Sequence, residues 1–130
     1  MSGMPVANIL YVEDDSDIQT VAQIALEVVG GFTLRTCSSG LEALDAVKSG
    51  CAPDLLLLDV MMPNMDGPTT LAELRLLPAT ASTPVIFMTA KVQAGELAYY
   101  KSLGAIGVIA KPFDPMELSE QLRELWSRGN

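Results

Sequence analysis

Histidine is absent from this chain of 130 residues, cysteine occurs twice, and eight Lys and Arg face sixteen Asp and Glu. Each shortage removes a class of function. With no histidine, and with Cys37 and Cys51 lacking metal-ligand spacing, no zinc site can be assembled, and two cysteines are too few for a disulfide framework. Both cysteines are read as packing residues. A formal charge of −8 opposes a polyanionic partner, which excludes nucleic acid. No apolar run approaches a membrane span, since Leu55 to Leu58 is closed by Asp54 and Asp59. The N-terminal stretch MSGMPVANILYVEDD has no basic segment before its apolar run, so it is not a secretory signal. The expectation is a soluble cytoplasmic protein without membrane contact. A chain of 130 residues with no repeat, linker or low-complexity segment is one domain, 1–130, with its core over about 7–127.

What the chain does contain is a series of short apolar runs, each ending in a polar group. Asn8 to Val12 is strand-like and ends at Glu13-Asp14-Asp15. Ile18, Val21, Ala22, Ala25, Val28 and Val29 recur at helical spacing until Gly30-Gly31, where a left-handed cap is wanted. Phe32 to Cys37 alternates, which predicts a sheet-edge strand exposed on one face. Ser39-Gly40 opens a second helix with Leu41, Leu44 and Val47 as its stripe, ended by Ser49-Gly50. Leu55 to Leu58 reads as a strand buried on both faces, with Asp59 where it emerges.

Met-Pro-Asn-Met-Asp-Gly then supplies turn residues. Pro68 suits a first helical turn, and Leu71, Leu74 and Leu77 mark a third helix that stops at Pro78. Val85 to Met88 is another buried strand, ending at Thr89-Ala90-Lys91. The helix predicted from Val92 to Leu103 is the weakest and the most mobile, because Gly95 lowers its propensity and its apolar face rests on Leu97, Tyr100 and Leu103. The adjacent Tyr99 and Tyr100 cannot both face the core. Ala105 to Ala110 forms the last strand, with Lys111-Pro112 at its end. Asp114 as N-cap, Pro115 in the first turn and Glu117 at N3 open a closing helix that buries Leu118, Leu122 and Leu125. The scattered methionines read as gap-fillers.

Strand and helix alternate five times, which predicts an α/β fold with a doubly wound, five-stranded, mainly parallel sheet and helices on both faces. In such a sheet the ligand crevice lies outside the carboxyl ends of the strands. Glu13, Asp14, Asp59, Thr89 and Lys111 all fall at those ends, while the second strand offers only Ser38. Taken singly, each is unremarkable, and Asp15 serves simply as a helix cap. Their joint placement on one rim is what carries meaning. Three carboxylates brought together repel unless a cation intervenes, and Mg²⁺ prefers oxygen ligands, with Mn²⁺ as a substitute. Asp59 beside such an ion can act as nucleophile in phosphoryl transfer. Thr89 would then donate a hydrogen bond, and Lys111 would supply positive charge to the transferring group.

ILYVEDD, LLLLDVMMPNMDG, PVIFMTAK and GAIGVIAKPFDP, in this order and spacing, resemble the receiver domains of bacterial two-component response regulators over essentially the whole chain. The nearest kind is the stand-alone, chemotaxis-regulator-like receiver with no output domain attached. The resemblance implies strand order 2-1-3-4-5 and a cis peptide between Lys111 and Pro112. It makes Asp59 the acceptor of a phosphoryl group from a sensor histidine kinase or a His-containing phosphotransfer protein. Asp14 would bind the metal directly, Glu13 through water and Met61 through its backbone carbonyl, with Thr89 and Lys111 on the phosphoryl oxygens. The modified protein would then switch its interaction with a separate, unidentified partner protein through its last two helices and final strand. One position departs from the family. Three residues before Lys111, receivers usually carry Tyr or Phe as a switch, and this chain has Val108. A signal would then travel through the Thr89 loop and the helix weakened by Gly95. Met61 and Lys91 flank the site where the family tunes the lifetime of the acyl phosphate.

Three other functions compete. An Asp-nucleophile phosphatase would need a general acid two residues after Asp59, where Met61 cannot transfer a proton. The expectation is therefore no turnover enzyme. A flavodoxin-like carrier would need hydroxyls and glycines where Glu13-Asp14-Asp15 would repel phosphate. A receiver-shaped binding module indifferent to phosphorylation is kept open by Val108. With no histidine, the chain cannot itself be a histidine phosphodonor.

Overall fold

The computed structural model describes residues 7–129, so the first six residues of the N-terminal stretch read as no secretory signal lie outside the described residues. The five apolar runs become strands β1 (Asn8–Val12), β2 (Thr33–Cys37), β3 (Leu55–Asp59), β4 (Val85–Thr89) and β5 (Ala105–Ala110). They form one parallel sheet in the order β2-β1-β3-β4-β5, as expected. Helices α1 (Ser16–Gln23), α2 (Gly40–Lys48), α3 (Gly67–Leu74), α4 (Ala94–Ser102) and α5 (Leu118–Gly129) make the connections.

Period-two alternation divides the core between the sheet's two faces. Leu10, Val12, Leu56, Leu58, Val85 and Phe87 share one half with residues of α2 and α3 and with Tyr100 of α4. Ile9, Tyr11, Leu55, Leu57, Ile86 and Met88 face the other, against Ala22, Ala25 and Leu26 and against Leu118 and Leu122 of α5. Both β3 and β4 are buried throughout, which accounts for their unbroken apolar runs. β2 alternates in exposure at the sheet edge.

Several helical details differ from the sequence reading. α1 gives way at Ile24 to a π-helical turn (Ile24–Val29), in which Gly30 N donates to Ala25 O at 3.1 Å. Ala22 of α1 is buried and Val21 beside it exposed, and within the wider turn Ala25 and Leu26 are buried while Val28 and Val29 stay exposed. Ser119 of α5 donates its hydroxyl to Ala25 O at 2.7 Å, and Gly30, on which a Cβ would collide with the Ser119 hydroxyl, leaves room for that approach. Gly31 has the expected left-handed φ of 77°. In α2 the buried face is Ala43, Leu44, Ala46 and Val47, and Leu41 is exposed. In α4 Tyr100 is buried and stacks near Phe87, whereas Tyr99 and Leu97 are exposed.

α5 begins at Leu118 rather than at Pro115. Asp114 caps a turn instead, with Oδ1 accepting from Met116 N at 2.8 Å and its carbonyl accepting from Glu117 N and Leu118 N. Met61 and Met116 are exposed rather than gap-filling, while Met62 and Met88 are buried.

Candidate functional site

The aligned register of β1, β3 and β4 brings the chemistry-bearing strand ends level. Val12 pairs with Leu58, and Asp59 with Met88, so Glu13 and Asp59 leave adjacent strands at the same height. Glu13 N still donates to Cys37 O at 3.0 Å, which keeps this residue in line with the sheet. Its carboxylate is 1% exposed. Oε2 accepts from Asp15 N at 3.2 Å, and Asp15 in turn caps α1 by accepting from Asp17 N and Ile18 N. The Gln19 amide reaches back to the Glu13 carbonyl and also donates to Ser38 Oγ at 3.1 Å.

Asp59 is 2% exposed. The chain must turn immediately after it. Val60 N donates to Met88 O at 3.0 Å, and Gly67 N returns to Val60 O at 2.9 Å. Asn64 supplies the left-handed conformation within that turn, φ 69°. A Cβ on Gly67 would lie 2.6 Å from Asp59 O, so only glycine lets α3 start this close to the acid. Asp66 caps α3 by accepting from Thr69 N at 2.8 Å.

Lys111 enters from the end of β5. Its backbone N donates to Thr89 O at 2.9 Å, and the bond to Pro112 is cis, as the resemblance implied. The ammonium is shared: Nζ lies 2.9 Å from Glu13 Oε1 and 3.0 Å from Asp59 Oδ1. Burial pushes Glu13 up to about 7, against the lowering effect of its hydrogen bond from Lys111. Burial raises Asp59 as well, again opposed by Lys111. Burial by itself would lower Lys111, but its bonds to both acids outweigh that and hold it above the usual lysine range.

One carboxylate oxygen from each of Glu13, Asp14 and Asp59 lies within 4.8 Å of the others. Asp14 is the exposed member. An all-oxygen, carboxylate-rich set with an open side suits a hard divalent ion such as Mg²⁺ or Mn²⁺. Thr89 is buried one strand away, with Oγ1 accepting from Lys91 N at 3.0 Å. Met61 is exposed, 64%, on the loop after Asp59. Val108 is half-buried in β5 against the core half that holds Phe87, apart from the acids. The structure therefore gathers Glu13, Asp14, Asp59 and Lys111, sets Thr89 beside them, keeps Met61 on the loop that leaves Asp59 and holds Val108 apart from the acids.

Residues 9–123 match the response regulator receiver domain family. The chain belongs to this family. As a receiver domain it has the fold of a phosphoacceptor in two-component signalling. Among its relatives is the response regulator SaeR of Staphylococcus aureus, 32% identical over 123 residues, covering 95% of this chain and 52% of that protein. Another is the probable transcriptional regulator ycf27 of Guillardia theta, 33% identical over 122 residues, covering 94% of this chain and 46% of that protein. The receiver thus spans about half the length of the curated relatives it matches. Among solved structures, chemotaxis protein CheY4 of Vibrio cholerae superposes with a TM-score of 0.83 at 28% identity, covering 92% of this chain and 98% of that one. The N-terminal domain of a response regulator receiver protein from Methanoculleus marisnigri is 38% identical with a TM-score of 0.72, covering 90% and 94% of the two chains.

Three features of the receiver's site were not anticipated from sequence. Gln19 and Gly67 support the two acids from behind, and Tyr11 is buried beneath them on the same face of β1 as Glu13. Gly67 was legible as a turn residue. Tyr11 was hidden inside a run read only for its apolar character.

Proposed function

We propose that this receiver accepts a phosphoryl group on Asp59 from the phosphohistidine of a sensor kinase or His-containing phosphotransfer protein, and thereby changes its interaction with a separate partner protein. The observation that carries the reading is the single Lys111 ammonium shared between two buried carboxylates inside a three-acid cluster. An Asp59 oxygen forms the new bond to phosphorus, and the phosphorus–nitrogen bond to the donor imidazole breaks with its electron pair left on nitrogen. Bound Mg²⁺, held by Glu13, Asp14, Asp59 and the Met61 carbonyl, would supply charge neutralisation for the phosphoryl oxygens. Lys111 is already within reach of Asp59 and turns to a phosphoryl oxygen as the acyl phosphate forms. Thr89 exchanges its bond from Lys91 N for donation to another of these oxygens.

The working unit is one receiver domain with its core over about 7–127, acting in the cytoplasm. Among the described residues no helix is long and apolar enough to cross a membrane. Neither nucleic acid nor membrane is a proposed partner. The protein is proposed to catalyse only its own phosphorylation and dephosphorylation, because Met61 offers no acidic proton where an Asp-nucleophile phosphatase has its general acid. Multiple turnovers on phosphate monoesters would favour that enzyme instead.

The face read by the partner comprises α4, β5 and α5. A groove of about 600 Å³ lies there, lined in part by Leu97, Lys101, Val108 and Arg128. The decisive experiment is intact mass after incubation with Mg²⁺ and acetyl phosphate. The wild type gains one phosphoryl group, labile to alkali, and Asp59→Asn gains none; an unmodified wild type would overturn the proposal.

A further inference from the structure

Tyr11 is the one residue of β1 that carries a side-chain hydroxyl, and it is fully buried. Its register partners are Thr36 on β2 and Leu57 on β3. Two residues further along β1 and β3 come Glu13 and Asp59, so period two puts the Tyr11 ring on the same sheet face as both acids, one residue pair beneath them. Its apolar neighbours in that half of the core include Leu57, Met88, Ala22 and Leu118, and the Oγ1 of Thr36 on β2 is likewise buried without a partner among the described residues. Among the described residues the Tyr11 Oη has no hydrogen-bond partner. A tyrosine hydroxyl is protonated at neutral pH and is a donor as well as an acceptor. A buried donor left without an acceptor is costly, and the acceptors in surplus on this face are carboxylate oxygens.

The Glu13 carboxylate has a matching need. Oε1 depends on Lys111 and Oε2 on Asp15 N. When Lys111 turns to a phosphoryl oxygen, Glu13 loses its strongest donor. We propose that Tyr11 is a positioning residue for Glu13: its hydroxyl, without a partner in the metal-free site, donates to the Glu13 carboxylate once Mg²⁺ or a phosphoryl group displaces Lys111 from that acid, and holds it in its metal-facing orientation. This assignment rests on the reading of Asp59 as phosphoacceptor, and it makes the floor of the site polar where the strand would otherwise end in hydrocarbon.

Tyr11→Phe removes only the oxygen, and Tyr11→Leu removes the ring as well. Calorimetric titration with Mg²⁺ alone is expected to show affinity weakened about tenfold in Tyr11→Phe. In magnesium-free buffer its urea midpoint should be equal to or above that of the wild type, because a donor without a partner in that state has been deleted. The tyrosine ultraviolet difference band produced by Mg²⁺ in the wild type should be absent from Tyr11→Phe, although Tyr99 and Tyr100 remain. Tyr11→Leu should lose both metal affinity and stability, which separates packing from hydrogen bonding. Equal Mg²⁺ affinity and an unchanged difference band in Tyr11→Phe would overturn the assignment. Acetyl phosphate labelling is run in parallel. A wild type that binds Mg²⁺ yet gains no adduct would sink the phosphoacceptor reading, while the titration would still decide the role of Tyr11.

Discussion

Lys111 Nζ stands 3.0 Å from Asp59 Oδ1, although 52 residues separate the two in the chain. The same ammonium also neutralises Glu13, so the site rests on one cation serving two buried anions. Replacing it by Lys111→Met leaves the pair uncompensated. The expected result in magnesium-free buffer at about pH 8 is a stability loss on the order of 2 kcal/mol, read from urea midpoints. Saturating Mg²⁺ should recover most of that loss.

Proton linkage follows from the same burial. The folded-state pKa of Glu13 is raised from 4.5 to about 7, so the folded protein holds this proton more tightly than the unfolded chain. The resulting stabilisation is full below about 4.5 and is lost as pH rises through about 7. Asp59 is displaced in the same direction. Thermal midpoints without metal should therefore fall across this window. The increase produced by Mg²⁺ should be larger at about pH 8 than at about pH 5, because protons compete for the same oxygens.

Gly67 offers a test at the backbone. Gly67→Ala brings a methyl group to 2.6 Å from Asp59 O and 3.0 Å from the Val60 Cα, where neither neighbour is a flexible side chain. The strand end must shift to accommodate it. A destabilisation of about 1–3 kcal/mol is expected, with phosphorylation of Asp59 slowed in the same variant. Normal labelling in a destabilised Gly67→Ala would show that the position of the acid tolerates more movement than the site's geometry suggests.

Val108 tests how a signal leaves the site. Val108→Ala is expected to cost about 1 kcal/mol of stability and to leave the labelling of Asp59 unchanged. Amide chemical shifts in α4 should still move between free and phosphorylated protein. If α4 stayed silent in the wild type, transmission through the Thr89 loop and this helix would be ruled out.

The strands were readable because burial on both faces leaves an unbroken apolar run, as in Leu55 to Leu58, and the polar residue that ends each run marks the rim. Glu13, Asp59 and Lys111 were found in that way. What a stripe of spaced apolar residues does not encode is helical phase. In the π-helical turn at Ile24–Val29 the Ala25 carbonyl also accepts from Ser119 of α5, a tertiary contact that spacing along the helix does not report, and Val28 stays outward where regular spacing placed it inward. The start of α5 was misplaced because Asp114 and Pro115 favour a capped turn as readily as a capped helix. The ammonium shared between acids depends on side-chain reach across three strands, and the Tyr11 hydroxyl on which face it points to. Both are properties of packing.

Glu13 and Lys111 lie 98 residues apart, and the lysine comes from the strand at the far margin of the sheet. During synthesis both carboxylates leave the ribosome well before their counter-charge exists. A nascent chain that has made β1 and β3 therefore carries an anionic notch that only a proton or a borrowed divalent ion can balance until β5 brings a cation of the chain's own.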